Sequence, residues 1–240
     1  MEGYVKEIKL LETEIFHNAL GLQLQGCNLN CPFCPKYDDR VFDEIFAIDN
    51  FLLKTKLKDF DYDSVVIFGG EPFIQDLFLK ELISLFYNKE LWIVTNLTKP
   101  DALTDVLKLK SDLNIVVRWW SYDNLMFNRL TNAKSFFQSE KIILYDILKS
   151  LFVLKKHSIM PWFLFTLVPG IFYTKEHIFN ELEFLSSLGL YPKIIFTQID
   201  KNNARGRWRN LNLLSDQYVF NLVRELEKQG FKAVYDPLFP

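Results

Sequence analysis

An alternation limits what this chain can fold into. Short apolar runs rich in β-branched and aromatic residues take turns with longer amphipathic stretches, about six times. The runs cover 64–68, 91–96, 113–120, 160–168 and 194–198, with an earlier pair at 4–10 and 19–25 around a polar bend and a short last one at 231–235. Helices are predicted at 48–57, 73–87, 101–110, 140–157, 175–188 and 215–229. In the longest, Ile143, Leu144, Ile147, Leu148, Leu151 and Leu154 recur at helical spacing. Ser215 stands where an N-cap is needed, and Gly189 and Gly230 stand where helices must stop. Leu20, Leu22 and Leu24 alternate with Gly21, Gln23 and Gln25, the period of a half-buried strand. The pattern predicts an α/β fold, a parallel barrel or partial barrel, whose ligand site lies at the C-terminal strand ends. Neither an internal repeat nor a flexible linker divides the sequence, so one domain over 1–240 is expected.

Composition supports a packed core and narrows the partners. Apolar residues make up 49% of 240, with 23 Phe, 10 Tyr and 5 Trp, which excludes disorder. Twenty-eight basic residues oppose 30 acidic ones, so no overall field draws the protein to nucleic acid or an anionic membrane. No apolar run approaches the ~18 residues of a membrane span, and the first residues alternate in charge where a signal peptide would be apolar. Three cysteines in one tight cluster do not make a secreted disulfide framework; the cytoplasm is the expected compartment.

All three cysteines fall within Gly26-Cys27-Asn28-Leu29-Asn30-Cys31-Pro32-Phe33-Cys34, directly after a predicted strand. Thiols this close converge at little loop-closure cost. Structural zinc takes four protein ligands, and an iron–sulfur cluster takes four unless one iron is left open. Three thiols therefore describe a metal centre with a vacancy. A second motif, Gly69-Gly70-Glu71-Pro72, ends the strand at 64–68; glycines there let backbone approach closely, and Pro72 suits a first helical turn. Thr95-Asn96 ends the third strand, Ser121-Tyr122-Asp123 follows the fourth, and Arg118 interrupts that strand's apolar run.

The Cys-x3-Cys-x2-Cys spacing, with Phe33 before the last cysteine, resembles the signature of the radical S-adenosylmethionine (SAM) superfamily, and Gly-Gly-Glu-Pro after the next strand strengthens the resemblance. It implies a partial (β/α)6 barrel of radical SAM type. It implies that Cys27, Cys31 and Cys34 hold three irons of a [4Fe–4S] cluster whose fourth iron binds SAM. Gly69, Gly70, Glu71 and Pro72 would meet the amino end of SAM, Thr95 and Asn96 its ribose or carboxylate, and Ser121 and Gln198 the nucleoside and substrate side. Reductive cleavage of SAM would give a 5′-deoxyadenosyl radical that takes hydrogen from a substrate, with an electron donor such as flavodoxin or ferredoxin as partner. Length and the Gln-Gly-Cys entry look like the compact organic-radical-activating enzymes and the 7-carboxy-7-deazaguanine synthases. The glycyl-radical activases are a poorer match: no Asp-Gly-Pro-Gly precedes the cysteines, and Arg118-Trp119-Trp120 stands where Asp-x-Lys is expected.

The competing readings are plainer. A zinc site of three cysteines and His17 lacks the short paired spacing of zinc modules, and Cys31-Pro32-Phe33-Cys34 as a redox pair leaves Cys27 unexplained. Arg205-Gly206-Arg207-Trp208-Arg209 is the densest basic cluster; Arg205, Arg207 and Arg209, with Arg118, are candidate substrate contacts. One short basic loop in a near-neutral protein is weak support for nucleic acid, so the expected substrate is a small molecule or a protein. The two function classes are thus a radical-generating enzyme and a metal-stabilised binding module.

Overall fold

A computed structural model describes residues 2–34, 41–132, 140–199 and 210–239. The elements are β1 (Glu2–Leu11), β2 (Ala19–Leu24), β3 (Ala47–Asp49), α1 (Asn50–Leu57), β4 (Ser64–Gly69), α2 (Asp76–Leu85), β5 (Glu90–Thr95) and α3 (Pro100–Leu109), followed by β6 (Asn114–Trp119), α4 (Asn124–Thr131), α5 (Glu140–Lys156), β7 (Trp162–Leu167), α6 (Lys175–Ser187), β8 (Lys193–Gln198), α7 (Asp216–Lys228) and β9 (Lys232–Tyr235). They form one nine-stranded sheet in the order β3-β1-β2-β4-β5-β6-β7-β8-β9. From β2 through β4 to β9 every neighbour is parallel; β1 runs antiparallel to both β2 and β3. This is the expected α/β partial barrel, with β3 and β9 as its two open edges.

Parallel strands need crossovers, and the crossover helices cover the outer face. The outer core joins Leu20, Leu22 and Leu24 to helix residues such as Leu79, Leu82, Val106 and Leu185. A second cluster, with Ala19, Val66, Phe68, Val94, Val116, Leu164 and Ile195, fills the concave side. β2 therefore departs from the half-buried expectation: Gln23 and Gln25 are buried as well. The leucines face the helices, while Gly21 and Gln23 share the concave face with Val66 and Phe68, their register partners.

Local chemistry sets the element ends. The Asp49 side chain accepts from the Leu52 N–H and starts α1, two residues later than the periodicity predicts, because Ala47–Asp49 pairs with β1. Pro72–Gln75 forms a tight helical turn before α2 begins at Asp76. Helix α4 was not expected: Asn-Leu-Met-Phe-Asn-Arg-Leu-Thr carries little apolar bias, and its start depends on Asp123 accepting from the Met126 N–H. Ser215 caps α7 as predicted. At Gly189 (φ +74°) the Leu190 N–H reaches Leu185 O at 3.1 Å, and the Gly189 N–H reaches Ser186 O at 2.8 Å, closing α6. No helix of the described residues is long and apolar enough to cross a membrane.

Candidate active site

The cysteine loop leaves β2 at the C-terminal end of the parallel sheet, and the Gly-Gly-Glu-Pro turn leaves the adjacent strand β4. The two turns are pressed together. The Gly70 N–H donates to Leu24 O at 2.9 Å and the Glu71 N–H to Gly26 O at 2.6 Å. A Cβ on Gly70 would stand 2.0 Å from Gly26 O, and one on Gly69 (φ +120°) would stand 2.2 Å from Leu24 O. Both glycines are thus required by backbone contact alone. Behind them Gln75 acts as a piece of strand: its Oε1 accepts from the Tyr4 N–H at 2.8 Å, and its Nε2 donates to Tyr4 O at 3.0 Å and Gln25 O at 2.9 Å. It binds beyond the last β1–β2 register pair, Val5 with Leu24.

Two further elements hold the loop itself. Asn28 Nδ2 donates to Thr98 Oγ1 at 2.7 Å and Asn96 Nδ2 donates to Asn28 Oδ1 at 3.2 Å, tying the loop to the end of β5. The Asn30 N–H donates to Thr131 O, the C-terminal carbonyl of α4, at 3.1 Å. Phe33 is buried and meets Trp120 edge-on at 5.4 Å.

Cys31 is buried and Cys27 and Cys34 are half-buried, and all three line one cavity of about 520 Å³. Burial pushes the Cys27 thiol up to about 12, with the Leu29 N–H acting the other way. Burial and the two neighbouring thiols push Cys31 well above its ordinary value, against the opposing pull of Arg118. Such thiols keep their protons until a cationic centre displaces them. Among the described residues no three His, Cys, Asp or Glu side chains converge as a single ion requires; around one zinc the sulfurs would stand roughly 3.8 Å apart. A cluster that gives each thiolate its own iron does not need that convergence. Three thiols on one cavity are the donor set that a [4Fe–4S] cluster with one open iron would need. The His17 side chain is exposed, near Glu12.

Of the other residues expected in the site, Gly69, Gly70, Phe33, Asn96, Arg118 and Gln198 line the same cavity. Glu71, Pro72, Thr95 and Ser121 are not among its lining residues. Glu71 is sealed off: its Oε2 accepts from the Asn96 N–H at 2.7 Å, and its Oε1 accepts from Thr95 Oγ1 at 2.8 Å and the Phe73 N–H at 3.2 Å. Burial raises its carboxyl to about 7, against these donors. Its side chain braces β4 against β5. Ser121 turns outward to Glu181 on α6, which also accepts from Trp119 Nε1 at 2.9 Å and the Tyr122 N–H at 3.0 Å. Gln198 holds the rim, donating to Leu214 O at 3.1 Å and Tyr235 Oη at 2.9 Å, and accepting from the Leu214 N–H at 2.9 Å. Arg205, Arg207 and Arg209 lie outside the described residues.

The sequence reading did not single out Trp120, Thr166 and Thr197, which also line the cavity. A signal was present: Trp120 shares the face of Arg118 by strand alternation, and Thr166 and Thr197 interrupt apolar runs near the ends of their strands.

Fold and site together define an open parallel α/β barrel with a thiol-lined cavity at its C-terminal strand ends. Comparison with solved structures gives that architecture a closer description: it is the fold of radical SAM enzymes. A radical SAM methyltransferase from Sphaerobacter thermophilus superposes with TM-score 0.65 at 11% identity, over 93% of this chain and 67% of that one. QueE from Escherichia coli gives 0.59 at 15% identity, over 98% and 93%. The enzyme anSMEcpe with bound AdoMet gives 0.60 at 15% identity, over 88% of this chain and 58% of that one. No protein-family model matches the chain, and no curated protein sequence matches it.

Proposed function

We propose that this protein is a radical SAM enzyme, with Cys27, Cys31 and Cys34 as the ligands of a [4Fe–4S] cluster. The observation that carries the reading is the placement of all three thiols on one cavity at the end of β2, beside the Gly69-Gly70 turn. Bound there, the cluster would supply the electron that cleaves SAM to a 5′-deoxyadenosyl radical able to abstract hydrogen from a substrate.

The chain's own residues prepare that chemistry. Cys27, Cys31 and Cys34 would hold three irons and leave the fourth free for SAM. Gly69 and Gly70 bring backbone close to the loop, so backbone groups of this turn, rather than the sealed Glu71 carboxylate, would meet the amino end of SAM. Asn96, already tied to Asn28, faces the cavity beside them. Arg118 places a cation on the same wall. Phe33 and Trp120 cover the cluster side with apolar surface, which shields a radical from water. The remaining partners of this reading are an electron donor of flavodoxin or ferredoxin type and a cytoplasmic setting.

Anaerobic reconstitution tests it. The protein should turn brown, bind about four irons per chain and change its reduced EPR spectrum when SAM is added. Cys31→Ala should lose SAM cleavage. A colourless protein that holds one zinc tightly would refute the reading and favour a metal-stabilised binding module.

A further inference from the structure

Two buried polar atoms in the cavity wall have no hydrogen-bond partner among the described residues: Trp120 Nε1 and Thr166 Oγ1. Trp120 is 5% exposed and Thr166 6%. Buried donors are almost always paired, and an unpaired one costs folding stability that the fold must recover elsewhere. Neither group serves a cap, a strand ladder or the bracing of the cysteine loop. Both line the cavity that holds the three thiols.

Register places them in one row. Trp119 pairs with Phe165, so the next residue, Trp120, comes level with Thr166; Thr166 in turn pairs with Thr197, which is also in the wall. Neighbouring strands are about 4.8 Å apart, so the row spans roughly 10 Å, the polar edge of a small molecule. An indole N–H can only donate, and a threonine hydroxyl can donate. The row therefore asks for acceptors. Arg118 lies two residues before Trp120 on the same wall and adds a positive charge. The other charged residues in the described lining are Lys9, paired with Glu7 at 2.7 Å, and Asp216, an anion that accepts from Tyr235 Oη at 2.8 Å. Neutral donors beside a guanidinium suit a carboxylate, and the Asp216 carboxylate in the same lining disfavours a phosphate dianion. Leu11, Ile199, Leu213 and Phe239 supply apolar wall beyond the row.

We propose that Trp120, Thr166 and Thr197, with Arg118, form a substrate subsite for the carboxylate of a small molecule with an apolar body. The identification of the occupant as substrate rests on the radical SAM reading; the existence of the subsite does not. SAM carries a carboxylate of its own, so the test must separate the two sources.

The probe is benzoate, with benzamide and benzylamine as neutral and cationic counterparts, added to cluster-loaded protein saturated with SAM. Binding is followed by saturation-transfer NMR on the probe. Benzoate should bind best, and Thr166→Val and Trp120→Phe should each weaken it about tenfold or more, the usual loss for a hydrogen bond to a charged group. Thr166→Ser should restore binding. Thr166→Val should melt no lower than the parent, because it removes a buried unpaired hydroxyl without changing the side chain's shape; a residue kept only for packing would not show that combination. Equal binding of benzoate and benzamide, or benzoate binding indifferent to both substitutions, overturns the subsite. Displacement of benzoate by SAM overturns its assignment to substrate and gives the carboxylate position to the cofactor. A benzoate response in protein that fails to assemble a cluster or bind SAM would leave the subsite standing and remove the enzyme reading.

Discussion

At the scale of single residues, Glu71 shows how a motif residue can also brace the fold. Its carboxylate is closed in by Asn96, Thr95 and Phe73, and burial raises it to about 7 from 4.5. A carboxyl whose folded value is raised binds its proton more tightly folded than unfolded. Its contribution to stability is complete below about pH 4.5 and is lost as pH rises through about 7. Cluster-free protein should therefore show a urea midpoint that falls between pH 5 and pH 8, and Glu71→Gln should flatten that slope. A variant with the parent's slope would show that Glu71 does not titrate in this window. The spacing of the three cysteines and the glycine pair were legible in the sequence, because both are local patterns. The reason for Gly70 was not: the obstacle to a side chain there is Gly26 O, 44 residues earlier, and only the parallel pairing of β2 with β4 reveals it.

At the scale of elements, α6 reaches across to the end of β6 through one side chain. Glu181 accepts three hydrogen bonds from Trp119, Ser121 and Tyr122, and the Tyr122 ring stacks on Phe184 at 4.5 Å. Holding 119 and 121 outward fixes 118 and 120 inward, toward the cavity. Glu181→Ala would strand three donors at about 1 kcal/mol or more each. We expect a loss of about 3 kcal/mol in urea unfolding, measured against Glu183→Ala on the exposed side of the same helix. A loss no larger than the control's would remove Glu181 as the tie between these elements. Strand–helix alternation made six βα units readable in advance, since apolar periodicity reports which faces are covered. Helix α4 and strand β3 escaped notice because both are short: α4 is eight residues whose start rests on the Asp123 cap, and the three residues of β3 are strand only because β1 lies beside them. Ser121 carried an expected cofactor role from its position after a strand, but its partner is 60 residues away on α6.

At the scale of the molecule, the sheet stops at β3 and β9 without closing, and aromatic contacts bridge the concave side. Phe16, in the turn between β1 and β2, packs edge-on to Trp92 at 5.3 Å and against Phe239 beyond β9 at 5.4 Å. Removing a fully buried phenylalanine costs about 3–5 kcal/mol. Phe16→Ala should lower overall stability by that order, and hydrogen exchange should rise first in β9 and the residues after it. β4 and β5, paired on both sides, should stay protected. Uniform deprotection of all strands would show that this contact does not join the two ends of the sheet.

The braces on the cysteine loop also set a schedule. Its supports are Glu71, Asn96 and the carbonyl of Thr131, which is 97 residues beyond Cys34. At typical synthesis rates, about 5–20 s separate the emergence of the thiols from that of the last support. During that interval the three sulfurs belong to an unfinished chain, open to oxidants and to stray metal ions. On the proposed reading, cluster delivery would be best timed after α4 has been made.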